Sequence, residues 1–194
     1  MERRIILASA SPRRRALLHK ALGGFEVIPS QAEESSSSER EPAELAEENA
    51  LAKAKDVAVE HTEALVIGAD TVVVHNGRIL GKPKSRGEAL EMLRLLSNDT
   101  HNVITGLAIV CIGRGISIAE HESTEVRFRK LDDRMLNEYL NNFEYLDKAG
   151  AYGIQDIGDS FVEHLHGDID NVIGFPLKLF SKMLAKIGKM MGER

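Results

Sequence analysis

Apolar positions along the chain alternate between short runs of strand length and stripes at helical spacing. Arg3–Ala8 is such a run, and Arg13–Leu22 then carries Ala16, Leu17, Leu18, Ala21 and Leu22 on a helical repeat. Ser11 suits the N-cap of that helix, Pro12 its first position, where a missing N–H costs nothing, and Gly23-Gly24 its end. Phe25–Ile28 reads as a second strand. Residues 31–41, with Ser35–Ser38 and several glutamates, have no periodicity and read as a loop. Pro42–Glu60 is a long alanine- and glutamate-rich helix that includes Leu45, Ala46, Asn49, Ala50, Ala52 and Lys53. Ala64–Val74 is the strongest strand, almost continuously apolar as in a strand buried on both faces. His75-Asn76-Gly77 turns it into Arg78–Leu80, a hairpin by the Asn-Gly signal.

Ser85 and Glu88 fit a capping box for a helix through Leu96. Two long β segments, Asn102–Ile112 and Ile116–Arg129, join at Gly113-Arg114-Gly115, and Asp132 or Asp133 starts a short helix to about Asn141. Ala149–Gln155 is rich in small residues, as a close backbone approach to a ligand requires. Ser160–Leu165 alternates like a strand, and Asp170–Lys189 closes with a helix. There is no internal repeat and no clear linker, so the pattern predicts one mixed α/β domain over residues 1–194.

Composition narrows the function classes. At 194 residues the chain has the size of one domain, and its net charge of −5 argues against binding nucleic-acid polymers through counterion release. A local reversal remains: Glu2–Lys20 carries six basic residues and one acidic, a net of +5, which leaves small polyanions open as ligands. No apolar run approaches the roughly 20 residues of a membrane helix, and Ile5–Ala8 stops short of a signal-peptide core. Cys111 is the only cysteine and lies within an apolar run, which reads as a buried structural thiol. The expectation is a soluble cytoplasmic protein with no membrane partner.

Three polar interruptions fall at strand ends, where α/β proteins place ligands. Ser9, Ser11, Arg13 and Arg14 combine hydroxyls, a helix start and guanidinium forks, all suited to a phosphate chain, although a basic surface helix has the same spacing. Asp70-Thr71 interrupts the strongest strand. A carboxylate there must be paired or metal-bound, and could take a proton from a metal-polarised water, or it could simply tie down a loop. Gly81-Lys82-Pro83-Lys84 follows the hairpin, and Lys82 could reach a phosphate. Neither a P-loop nor a Rossmann glycine fingerprint is present. His164 and His166 lack a third metal ligand, and Asp168-Ile169-Asp170 suits a turn and an N-cap. The acidic residues of 33–48 read mostly as a solvated face, with Glu33 or Glu34 available to a metal. Spacing alone therefore reaches an α/β protein that binds a phosphorylated metabolite.

Leu7-Ala8-Ser9-Ala10-Ser11-Pro12-Arg13-Arg14-Arg15-Ala16-Leu17-Leu18 resembles the opening signature of the Maf family of nucleotide pyrophosphatases. Gly68–Val73, Gly81-Lys82-Pro83, Asp147–Gln155 and Asn171–Leu177 continue the likeness in order, over essentially the whole chain. The resemblance implies hydrolysis of a nucleoside triphosphate between its α and β phosphates. It implies a divalent cation, magnesium or manganese, and a homodimer. It also implies an elongated mixed sheet flanked by helices in two lobes, similar to inosine triphosphate pyrophosphatases. Carried onto this chain, Asp70 becomes the proton acceptor that activates water, and Ser9, Arg13, Arg14, Lys53 and Lys82 the phosphate-binding residues. The acidic metal position falls on Glu34, with Glu33 one residue away, alongside Asp70. Arg13, Thr71 and Gln155 stand at the specificity positions as in members that prefer dTTP and UTP. A glutamine amide is both donor and acceptor, so Gln155 could pair with N3–H and a carbonyl of thymine or uracil. The alternatives are a non-catalytic nucleotide-binding regulator of cell division or septum formation, and, further off, a nucleotidyltransferase, which would show a glycine-rich first loop.

Overall fold

The computed structural model describes residues 4–35 and 40–190; Ser36–Ser38 of the serine run lie outside the described residues. The order of elements is β1 (Ile5–Leu7), α1 (Pro12–Ala21), β2 (Glu26–Val27), α2 (Pro42–Ala58), β3 (Leu65–His75), β4 (Arg78–Leu80), α3 (Arg86–Leu96), β5 (Thr100–Cys111), β6 (Ile116–Phe128), α4 (Asp133–Asn142), α5 (Ile154–Phe161), β7 (Val162–His166), α6 (Ile169–Ile173) and α7 (Leu177–Met190). Among the described residues the strands form one mixed sheet in the order β2-β1-β3-β5-β6-β7, with β4 hairpinned onto β3. β1 runs parallel to β2 and β3, and the remaining pairs are antiparallel. No helix among them is long and apolar enough to cross a membrane.

The three long strands span three clusters of core residues, two at one end and one at the other, and so build the two lobes. At one end Leu65, Ile67, Leu107 and Ile109 meet Leu17 and Leu18 of α1 and Phe180 and Met183 of α7. On the opposite face of that end Ile6, Val66, Ala108 and Val110 pack under Ala50, Ala54 and Ala58 of α2. At the other end Val73, Val103, Val126 and Phe128 pack against α3, α4 and α5. β3 is buried on both faces, as its continuous apolar run predicts. Cys111 is fully buried, in agreement with a structural thiol.

Several boundaries differ from the pattern reading, each for a local reason. The closing helix is two helices, because Gly174 is left-handed (φ +114°) and Pro176 follows, so α6 must stop. Ala149–Gln155, which its small residues mark only for close backbone approach, forms a short 3-10 turn at Ala149–Ala151 and leads into α5, a helix for which the pattern gives no element. The strand expected at Ser160–Leu165 starts two residues later, at Val162, because α5 occupies Ser160 and Phe161. The Asn76-Gly77 hairpin is as expected, with φ of 48° and 74°.

One buried ionisable residue stands out in the far lobe. His101 of β5 is 1% exposed, and burial pulls its pKa from 6.5 down to about 4. The unfolded chain therefore takes up a proton between pH 6.5 and 4 that the folded chain refuses, so this contribution is complete above pH 6.5 and is lost as pH falls toward 4. Between pH 7 and pH 5 that loss amounts to about 2 kcal/mol. Urea titrations should show the loss in the wild type and its absence when His101 and its partner Tyr152 are both changed to phenylalanine. An equal loss in both proteins would refute the assignment.

Candidate active site

β3 and α2 build the centre of the site. Asp70 and Thr71 are successive residues of β3 and so point to opposite faces, at the place where the two lobes meet. Asp70 faces α2. There the helix lies unusually close, because the strand residues beneath it are glycines: a Cβ at Gly106, the register partner of Asp70, would fall 2.3 Å from the Ala46 backbone, and one at Gly68 2.1 Å from the Ala50 carbonyl oxygen. That approach puts Asn49 and Lys53, one helical turn apart, over the carboxylate. Lys53 Nζ donates to Asp70 Oδ1 at 2.6 Å, and Asn49 Nδ2 donates to Oδ2 at 3.1 Å. Asp70 is thereby 6% exposed but fully engaged.

A second carboxylate joins from the loop before α2. Glu34 Oε1 accepts from Lys53 Nζ at 2.7 Å and lies 3.5 Å from Lys82 Nζ. Burial works to raise the Glu34 pKa, yet the Lys53 hydrogen bond and the charges of Lys53 and Lys82 outweigh it and hold it below the usual carboxylate range. Of the two glutamates left open by the sequence, Glu34 lines the cleft. Asn49 also anchors this loop, its Oδ1 accepting from Ser35 N–H at 2.9 Å.

The other wall comes from the β1–α1 turn. Ser11 caps α1, its side chain accepting from Arg14 N–H, and Ser9 Oγ accepts from Ser11 N–H. Arg14 spreads its fork over three segments: Nε donates to Gly174 O at 3.0 Å, Nη1 to Ala69 O at 2.8 Å, and Nη2 to Thr71 Oγ1 at 3.0 Å. Burial lowers the Arg14 pKa against the opposing pull of Asp70 and Glu34. Thr71 Oγ1 lies 3.0 Å from Thr105 Oγ1, which donates to the Asn171 carbonyl. Arg13 instead reaches across the cleft to Asp147, Nη1 to Oδ2 at 2.8 Å, while the buried Lys148 donates to Asp147 Oδ1 and to the Glu144 carbonyl.

These walls enclose a cleft of about 1320 Å³. Ser9, Arg13, Arg14, Glu34, Lys53, Asp70, Thr71, Lys82 and Gln155, scattered over most of the chain, all line it. His164 and His166 lie on β7 and are not among its lining residues, and Asp168 caps α6 by accepting from Asp170 N–H. The pattern reading missed Asn49 as a site residue. Its signal was present: Asn49 and Lys53 are the polar i, i+4 pair on an otherwise alanine- and leucine-lined buried face of α2. It also missed Asn171, fully buried, whose Nδ2 donates to Val103 O and Thr124 Oγ1 and thereby seats the α6–α7 junction under Arg14.

The donor set suits a hard divalent cation. Glu34 and Asp70 offer carboxylate oxygens that converge on one ammonium, and no group of three or more acidic, histidine or cysteine side chains gathers among the described residues. Magnesium characteristically takes one or two carboxylates, with water and substrate phosphates completing its shell.

Known proteins resemble this chain in sequence and in fold. The family profile described as Maf-like protein matches residues 4–187. A protein of Thermococcus gammatolerans named dTTP/UTP pyrophosphatase is 48% identical over 179 residues, covering 92% of this chain and 94% of the relative. One of Bacillus mycoides with the same name is 46% identical over 175 residues, covering 90% and 91%. Among solved structures, the Ham1 proteins of Staphylococcus aureus (TM-score 0.56, 15% identity, 95% of this chain and 99% of that one) and Coxiella burnetii (0.55, 16%, 95% and 100%) share the fold. On the profile match and on this identity across nine-tenths of its length, the chain belongs to the Maf family.

Proposed function

We propose that the chain is a nucleoside triphosphate pyrophosphatase that hydrolyses dTTP and UTP between the α and β phosphates, releasing the monophosphate and pyrophosphate. The observation that carries this reading is Asp70, held nearly out of solvent between Lys53 and Asn49 in a cleft ringed by cations. The names of the relatives supply the substrates. The reading extends to a homodimer, as the family resemblance implies, and to a cytoplasmic location, as the composition suggests.

Phosphoryl chemistry depends mainly on positioning and on neutralising charge. Arg13, Lys53 and Lys82 bind the phosphate oxygens, each of them held by a carboxylate that the incoming phosphates replace: Asp147 for Arg13, Glu34 for Lys82, and Asp70 with Glu34 for Lys53. Ser9 contributes a hydroxyl, and Arg14 adds positive charge from behind it while pinning the walls together. Glu34 and Asp70 would hold a magnesium or manganese ion, which when bound would supply Lewis-acid neutralisation of the triphosphate charge. Asp70 takes the proton of the attacking water as the new P–O bond forms, the anhydride P–O bond breaks, and pyrophosphate leaves with the electron pair. Arg13, Thr71 and Gln155 set the base preference, the Gln155 amide pairing with the pyrimidine N3–H and a carbonyl.

Product analysis with dTTP, UTP, CTP, ATP and GTP plus magnesium tests the reading. Monophosphate and pyrophosphate from dTTP and UTP are expected, abolished by EDTA, with the preference reduced about tenfold in Gln155→Ala. Orthophosphate release would mean a different scissile bond. Tight binding without turnover would favour a nucleotide-binding regulator.

A further inference from the structure

The largest feature that the proposed chemistry leaves unused is the buried histidine of the far lobe. His101 lies edge-on to the rings of Phe128 and Tyr152, with centroids 4.9 and 5.5 Å away. Its Nε2 is 2.7 Å from the Tyr152 hydroxyl, and its Nδ1 has no hydrogen-bond partner among the described residues. An imidazole that satisfies one nitrogen and strands the other is a costly way to fill a core that phenylalanine would fill. Burial holds His101 uncharged at neutral pH and pushes the Tyr152 hydroxyl up, so the contact joins two neutral groups.

Tyr152 belongs to the segment 149–155, whose last residue is Gln155. That segment is strained: Gly150 and Ala151 both have left-handed φ, 67° and 65°, and a non-glycine residue rarely adopts that region. Gly150 also sits against Val73 so tightly that a Cβ would meet its side chain at 3.0 Å. A conformation of this kind persists only where the surroundings over-determine it. Three bonds do so here. Gly150 N–H donates to Gly81 O at 3.0 Å, Gly153 N–H donates to the Tyr139 hydroxyl at 3.2 Å, and the Tyr152 hydroxyl meets His101. The last reaches β5 by a hydrogen bond, beside the packing of Gly150 against Val73 of β3 and of the Tyr152 ring against Phe128 of β6.

We infer that His101 is a positioning residue: through Tyr152 it holds the strained segment 149–153 in the shape that presents Gln155 to the base-reading end of the cleft. The inference rests on the reading of Gln155 given above. It is tested with His101→Phe, Tyr152→Phe, the double variant and His101→Gln, which keeps an acceptor for the Tyr152 hydroxyl. Each phenylalanine single variant strands a buried polar group, whereas the double variant strands none, so thermal stability is expected to recover in the double. Amide exchange over 149–155 in the nucleotide-free protein should quicken about tenfold in both singles and in the double alike, since all break the same link. The KM for UTP should rise about tenfold with kcat nearly unchanged, the preference for UTP over CTP should fall with it, and His101→Gln should restore all three.

A packing role alone makes the opposite prediction, that the double variant recovers exchange, KM and preference together with its stability. That result would overturn the inference, as would unchanged exchange in every variant. Because exchange is read without nucleotide, a wild type that turns over neither dTTP nor UTP, with quickened exchange in the variants, refutes the pyrophosphatase reading and with it the role of Gln155, while the hold of His101 on the segment 149–153 stands.

Discussion

Asp70→Asn is expected to lower kcat/KM for UTP by about a thousandfold, within the range that a positioned general base contributes. Asparagine keeps the shape of the side chain and an oxygen for Lys53, so what is lost is the proton acceptor, the negative charge and the acceptor for Asn49 Nδ2. The fold should survive. Removing one partner of a buried ion pair typically costs about 3–5 kcal/mol, because the other charge is stranded. Here Glu34 remains 2.7 Å from Lys53, so the ammonium keeps a carboxylate and the loss should be nearer 1–2 kcal/mol, roughly that of a single charged hydrogen bond. Initial rates in magnesium alongside thermal melts separate the two effects. A variant that retains more than about a tenth of the wild-type rate would remove Asp70 from the role of base.

Gly106→Ala should be as damaging to stability as Asp70→Asn is to activity. The added methyl would lie 2.3 Å from the Ala46 carbonyl carbon and oxygen and 2.6 Å from Glu47 N, all of them helix backbone, so no side chain can swing away. Helix α2 must lift from β3 and β5, opening the contacts among Ala50, Ala54, Ala58, Val66 and Ala108. Overpacking of this type costs about 3 kcal/mol or more, and for a chain of this size that is a fall in Tm of roughly 6–12 °C. The lifted helix also carries Asn49 and Lys53 away from Asp70, so activity should fall beyond what the unfolded fraction explains. Gly23→Ala is the control, since a Cβ there meets nothing within 4 Å and should leave Tm within a degree or two. Equal Tm values for the two variants would show that α2 yields without cost.

Both predictions bear on how much of this protein was legible in its residues. The strand over Ala64–Val74, the Ser11-Pro12 helix start and the Asn76-Gly77 hairpin were readable because each depends on a handful of neighbouring residues: burial on both faces, a cap with a proline that needs no N–H, and two positions at positive φ. Asp70 was conspicuous for the same reason, being one carboxylate inside an apolar run. α5 was not readable. Its glycines and small residues carry no helical signal of their own, and the helix is secured by long-range contacts of Ile154, Ile157 and Phe161 with the far core. The split of the closing helix was signalled by Gly174 and Pro176, but apolar periodicity continued across the break and masked it.

The sequence by itself determined the class of fold, the family and the inventory of charged groups able to meet a triphosphate, because motifs and periodicity are properties of short stretches of chain. The tertiary structure decided which of those groups meet. It placed Glu34 over Lys53, brought Asn49 to Asp70, turned Arg14 inward onto Ala69, Thr71 and Gly174, and joined Arg13 to Asp147 across 134 residues of chain. The physical reason lies in the sheet: Gly68 and Gly106 on neighbouring strands let a helix backbone settle where any Cβ would have held it off, and the distance so gained is what brings Lys53 within hydrogen-bonding reach of Asp70.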